Sequence, residues 1–404
     1  MKMLTIRTII ALFILGIGIS VAQAWFAHRP SPVPVPPVDD QTPSDQVRNY
    51  TTGNSTLEMV FVLDTTGSMG GLLEGAKQRI WGIVNEVMQS ASHPSVRVGL
   101  VAYRDRRDEY VTKVLPLTTD LDQVYSTLMS YRAEGGGDAP EDVRRALADG
   151  VRKAGWSPRK QGIAQIIFLV GDAPPHEDYQ DEPSTATTTA EAVKAGMIVN
   201  TIQCGNEPGT QPVWQAIAQN GEGQYFTIAQ DGGVQAIATP YDKELSELGA
   251  KIGATYMAYG GGGGAEGESY RAAARGRQAS TELTVASLAP APAAADRAVN
   301  KAVNSEAYAG DLLTNLENGS AQLDSVKDED LPDDLKKLDP AARHKEIEKR
   351  LAERKALRND ILKLSKLRDE FIAAARKKQS GKPSGFDSAV AGALKEQLIR
   401  KGIK

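Results

Sequence analysis

Met59-Val60-Phe61-Val62-Leu63-Asp64-Thr65-Thr66-Gly67-Ser68-Met69-Gly70 is the stretch on which the fold turns. Its first five residues are apolar and β-prone, and they read as a buried strand. The following Leu72–Met88 reads as a helix. The strand-to-helix turn therefore crowds one carboxylate, Asp64, and two hydroxyls, Thr66 and Ser68, at the carboxyl end of a strand. Open α/β sheets place their ligands there. Donors that are all oxygen suit a hard cation such as Mg²⁺, Ca²⁺ or Mn²⁺. The plainer reading is an ordinary turn in which Thr and Ser cap the helix.

Further apolar runs follow at regular intervals. Val96–Tyr103, Ile163–Asp172 and Met197–Cys204 read as parallel buried strands. Tyr110–Leu117 alternates apolar and polar residues, as an antiparallel edge strand would, and Gln224–Thr227 is a weaker sixth element. Helical patterns fall between them at Leu121–Tyr131, Glu141–Ala154, Ala186–Ala195 and Pro212–Asn220, and Val234–Leu248 closes the series. This alternation predicts an α/β fold: a doubly wound, mostly parallel, Rossmann-like sheet with a helical C-terminal extension.

The 404 residues suffice for one large domain with extensions. Lys2, Arg7, the apolar run Ile9–Val21 and Ala22-Gln23-Ala24 form a signal-peptide pattern over 1–24. Residues 8–27 would alternatively make an uncleaved anchor with the domain outside, and a secreted or periplasmic location is expected either way. Residues 25–54 are a Pro-rich linker and 55–252 the α/β domain. The run Gly260–Gly264 opens a Gly/Ala/Pro-rich linker over 253–295, in which Glu282–Leu288 is expected as a strand and Ala289–Ala295 as loose chain. Residues 296–404 form a basic helical region. From Ala341 to Lys404 there are 18 Lys and Arg against 8 Asp and Glu. Asp339-Pro340 starts a long helix whose apolar stripe (Ile347, Leu357, Ile361, Leu364, Phe371) is interrupted by Arg350, Arg354 and Arg368. It reads as a solvated helix folding back, a coiled-coil partner, or a basic surface for acidic partners or lipid headgroups.

The overall net charge of −4 shows no nucleic-acid footprint. Cys204 is the only cysteine, which excludes an intrachain disulfide, and it reads as a buried small hydrophobe.

Two more strand-end loops carry acids. Ile166-Ile167-Phe168-Leu169-Val170-Gly171-Asp172 ends on Asp172, and Asp64 and Asp172 are expected to end adjacent strands. Gly135-Gly136-Gly137-Asp138-Ala139-Pro140-Glu141 supplies Asp138, with Glu141 as a weaker candidate. Asp-x-Thr-x-Ser resembles the first motif of the metal-ion-dependent adhesion site of von Willebrand factor type A domains, with Thr66 where Ser is usual. The loops Val101-Ala102-Tyr103-Arg104-Asp105, Gly135–Glu141 and Gly171-Asp172-Ala173-Pro174-Pro175-His176 extend the likeness to a hemicentin-like, α-kinase-associated subgroup.

That resemblance implies a metal site of Asp64, Thr66, Ser68 and Asp172, with Asp172 as the distal carboxylate; Asp138, beside the family's Thr position, is the further candidate, directly or through water, or else a turn or N-cap residue. It also implies a protein ligand whose acidic side chain completes the shell. Where the family usually has Thr, this chain has Ala139, which carries no hydroxyl. Met69 and His176 are the expected partner contacts.

An enzyme is not expected. Haloacid-dehalogenase phosphohydrolases need a second Asp where Thr66 stands, no nucleophile elbow or P-loop is present, and the four histidines (His28, His93, His176, His344) are scattered. The remaining alternatives are an envelope scaffold with a vestigial metal site and, further off, a hydrolase using His176 as base.

Overall fold

Tyr103 and Val170, at the carboxyl ends of two strands, flank Asp64 and Leu63 of a third, and this three-strand centre organises the molecule. The computed structural model describes residues 55–88, 94–137, 139–228, 237–303, 310–378 and 385–403. All belong to one compact unit, Thr52–Lys404. The signal or anchor segment, the Pro-rich linker up to residue 54, His28, His93 and Asp138 lie outside the described residues. None of the described helices is long and apolar enough to cross a membrane.

The strands are β1 (Thr56–Asp64), β2 (Ser95–Tyr103), β3 (Thr112–Thr118), β4 (Ile163–Gly171), β5 (Ile198–Cys204) and β6 (Glu222–Ile228). They form one sheet in the order β3-β2-β1-β4-β5-β6, parallel throughout except β3. Every residue of β1 is buried, because helices cover both faces. β3 is the antiparallel edge, where Pro116 costs no internal ladder bond. The expected doubly wound sheet is thus present.

Helices α1 (Leu73–Met88) and α2 (Leu121–Ser130) share one face, where Trp81, Tyr125 and Leu128 pack with Phe61 and Phe168. Helices α3 (Val143–Arg152), α4 (Thr185–Ala195) and α5 (Thr210–Asn220) cover the other face, with Val60, Val62, Leu147 and Trp214 in its core. Cys204 is buried. The expected helix Val234–Leu248 starts later, as α6 (Asp242–Ala254).

The C-terminal half differs most from the sequence expectation. The expected strand Glu282–Leu288 is the end of a helix, α7 (Gly264–Leu288), and the expected loose stretch Ala289–Ala295 opens another, α8 (Ala291–Val303). Nor is the glycine run slack. Gly260, Gly261, Gly262 and Gly264 take positive φ, and the buried Arg271 gathers the carbonyls of Gly260, Gly262 and Glu329 at 2.9–3.0 Å.

The long helix α9 (Pro340–Lys378) is capped by Asp339, which accepts from the Ala342 amide at 2.9 Å. The arginines that break its apolar stripe are its anchors. Arg354 is fully buried against Asp311 at 2.5 Å. Arg368 bonds Asp242 at 2.7 Å and Asp296 at 2.6 Å. Arg343, Arg350 and Arg358 pair with Asp328, Asp334 and Glu317. Five arginines of the basic tail are therefore matched by acids earlier in the same chain. The last helix, α10 (Gly385–Arg400), places Val390, Leu394 and Leu398 in the core of the first sheet face. There Gln397 and Asn200 of β5 exchange buried amide bonds at 2.7 and 3.1 Å.

Candidate metal centre

Asp64 is the last residue of β1 and is completely buried. The chain then turns sharply. Thr65 donates from its amide and its hydroxyl to the Tyr103 carbonyl, at 2.9 and 2.8 Å, which ties the turn to β2. The Gly67 amide donates to the Gly135 carbonyl at 3.0 Å, and Glu134 N–H to the Thr65 carbonyl at 3.1 Å, so the first and third loops are laced together.

The side chains then form a chain of short contacts. Thr66 donates to Asp64 Oδ1 from its amide at 2.9 Å and from its hydroxyl at 2.7 Å. Thr66 Oγ1 lies 3.0 Å from Ser68 Oγ, and Ser68 Oγ donates to Asp172 Oδ1 at 3.1 Å. Four of the five expected metal-site residues are therefore contiguous, and the fifth, Asp138, is outside the described residues. β1 and β4 are neighbours, so Asp64 and Asp172 do emerge side by side. β4 itself ends one residue early, at Gly171, which leaves Asp172 as the first loop residue.

The electrostatics are unfavourable to the chain alone. Burial, and then the Asp172 charge, raises the Asp64 pKa against the opposing Thr66 bonds. Burial likewise raises Asp172, although its bond from Ser68 lowers it. Asp64 Oδ2 is buried and accepts no hydrogen bond of good geometry, while the Tyr103 hydroxyl and the Asp172 carboxyl lie close by. Among the described residues no Lys, Arg or His forms an ion pair with Asp64, Asp172 or Glu141. No three His, Cys, Asp or Glu side chains there converge tightly enough to hold an ion alone. The oxygen donors still fit a hard divalent cation, provided the Thr66 and Ser68 hydroxyls contribute and water fills other positions. Asp64, Thr66, Ser68 and Asp172 are the residues that would hold it.

Glu141, the weaker candidate of the third loop, lies close to the Asp64 carboxyl. It sits outside α3, whose N-cap is Asp142, and it is only 2 % exposed. Burial and then Asp64 push its pKa up to about 9. Only the docking of the third loop against the Asp172 loop reveals this, since the sequence separation is large. Ala139 is exposed.

The expected partner contacts fare differently. Met69 is completely buried in the core beneath the loop, so the structure removes it as a partner contact. Its apolar side chain follows the core-facing side of the turn into α1. His176 is braced sideways. Its Nδ1 lies 2.8 Å from Asp178, its Nε2 3.6 Å from Asp105, and its ring stacks on Tyr179 at 4.2 Å. It bonds none of the Asp64–Asp172 series.

Comparison with known proteins agrees with this architecture. Residues 58–240 match the family model of the von Willebrand factor A domain. A curated protein described as an ariadne-like RING finger protein, from Acanthamoeba polyphaga mimivirus, is 27% identical over 125 residues. That alignment takes in 30% of this chain and 11% of the viral protein, so the chain spans about a tenth of that relative's length. Among solved structures, the conserved hypothetical protein BatB from Bacteroides thetaiotaomicron superposes with a TM-score of 0.32 at 18% identity, over 44% of this chain and 91% of that one. Proximal thread matrix protein 1 from the mussel byssus gives a TM-score of 0.34 at 14% identity, over 44% of this chain and 43% of that one. TM-scores this low say nothing about shared function.

Proposed function

We propose that this chain, a von Willebrand factor A domain over residues 58–240, is a divalent-cation-dependent protein-interaction module. The observation that carries the reading is the run Asp64–Thr66–Ser68–Asp172 at adjacent strand ends, with two buried or half-buried carboxyls side by side and no cationic side chain paired with them among the described residues. When bound, Mg²⁺, Ca²⁺ or Mn²⁺ supplies the positive charge that two carboxylates and two neutral hydroxyls call for, with a position left for an outside ligand. Asp64 and Asp172 supply charge. Thr66 and Ser68 orient them and close the space between. An acidic side chain of the partner protein fits the remaining position, which makes the site one for binding rather than catalysis. Residues 1–24, or 8–27 as an anchor, support export of the domain to the periplasm or beyond.

The test is retention of envelope-extract proteins on the immobilised full chain. Partners retained in Mg²⁺, released by chelator and absent from Asp64→Ala are the expected result. Equal retention by wild type and Asp64→Ala would overturn the reading. A second reading, an envelope scaffold with a vestigial site, is favoured by Ala139 alone, and it expects retention that is indifferent to chelator.

A further inference from the structure

We propose that Tyr103 positions the Asp64 carboxylate for the cation, its hydroxyl donating to Asp64 Oδ2 from the sheet side while Thr66 holds Oδ1 from the loop side. The proposal rests on the cation reading above and adds a positioning residue to it.

Three observations carry it. First, strand register sets the two residues side by side. Asp64 and Tyr103 are partners across β1 and β2, each the last residue of its strand. Register partners in neighbouring strands share a face of the sheet, and Tyr103 packs with Val60, Val62 and Leu169 in the core of the second face. Second, the phenol reaches past Asp64 to the strand beyond. The place a Cβ would take on Gly171 is crowded by the Tyr103 hydroxyl, and by Asp64 Cβ and Oδ2 at 3.0 and 3.1 Å. Gly171 is the last residue of β4, so the side chain of Tyr103 runs from β2 across the end of β1 to β4. The missing side chain at position 171 is what leaves room for it. Third, the Tyr103 hydroxyl is completely buried and makes no hydrogen bond of good geometry, although the Asp64 carboxyl is within its reach. A phenol can donate, and a buried donor left unsatisfied is costly. A small approach to Oδ2 in the loaded site removes that cost.

The two oxygens of Asp64 then have separate holders. Oδ1 accepts from the Thr66 amide and hydroxyl at 2.9 and 2.7 Å. Oδ2 is left to Tyr103, and a carboxylate held at both oxygens does not swing when the ion arrives. Groups that bond a metal's ligands from outside typically change its affinity by about 10- to 100-fold.

Calorimetric titration of the full chain with Mg²⁺ alone tests the assignment. Tyr103→Phe keeps the ring and is expected to bind at least tenfold more weakly than wild type, while Asp64→Ala binds none. Mg²⁺ is also expected to perturb the near-ultraviolet tyrosine absorbance of wild type, and this signal is lost in Tyr103→Phe. In chelator, Tyr103→Phe is expected to melt at or above the wild-type temperature, because the lost hydroxyl makes no good bond there. Tyr103→Phe titrating like wild type, while Asp64→Ala loses binding, overturns the role of Tyr103 and leaves the cation site standing. Tyr103→Phe melting lower by the same margin with and without Mg²⁺ marks a packing role and also overturns it. A wild-type chain that binds no Mg²⁺ overturns both.

Discussion

Asp311 and Asp64 are both completely buried, yet only Asp311 meets a cation from its own chain. The pattern of Asp311 repeats where the C-terminal helices pack on what precedes them. Asp122 is held by Arg297 and Lys301, and Asp242 by Arg368. At the three-loop site it fails: Asp64, Asp172 and Glu141 have neighbouring hydroxyls and amides but no guanidinium or ammonium partner among the described residues. Buried charge is tolerated where it is paired. The buried acids that meet the C-terminal helices satisfy that rule with partners from the chain, and the loop site satisfies it by taking up protons or with a cation from outside.

The largest effect that could break this comparison is at Arg354. Arg354→Met leaves Asp311 buried and unpaired, and it is expected to cost about 3–5 kcal/mol in urea unfolding, most of it recovered in Arg354→Met/Asp311→Asn. A loss below about 1 kcal/mol would mean that the helical half does not depend on its internal pairs.

The next effect is pH-dependent and sits at Asp122. Burial alone would raise its pKa, but Arg297 and Lys301 hold it below the ordinary 3.8. A depressed folded-state pKa gives stability that is present above pH 3.8 and is lost as the pH falls through the folded value. Wild type is therefore expected to exceed Asp122→Asn by about 3 kcal/mol at pH 6, with the gap closing below pH 4. A gap that does not change with pH would contradict the pairing.

The smallest effect has the opposite sign. In chelator, Asp64→Asn removes an uncompensated buried carboxylate while keeping its size, and unfolding is expected to show a gain of about 1 kcal/mol. A loss comparable to that of Arg354→Met would erase the distinction between the two regions.

The sheet was legible because parallel buried strands are written as continuous apolar runs, Met59–Leu63 and Ile166–Val170 among them. Asp64, Thr66, Ser68 and Asp172 were legible because strand ends fix their positions. Helices α7 and α8 were not. Only Gly267, Arg271, Ala274 and Val285 of α7 are buried, so it carries almost no apolar stripe. Arg354 and Arg368 read as interruptions because their acids lie 43 and 126 residues away. The surroundings of Glu141 were not legible for the same kind of reason: its backbone bonds go to Pro174 and His176, and local sequence does not show which loops meet.

Thermal unfolding of the full chain in Mg²⁺ and in chelator tests the dependence on an outside cation most directly. At about a hundredfold excess over its dissociation constant, a bound ion stabilises the folded state by about 2.7 kcal/mol, a rise of several degrees. That rise is expected for wild type and none for Asp64→Ala. The same melting temperature for wild type with and without Mg²⁺, or an equal rise in Asp64→Ala, would contradict it.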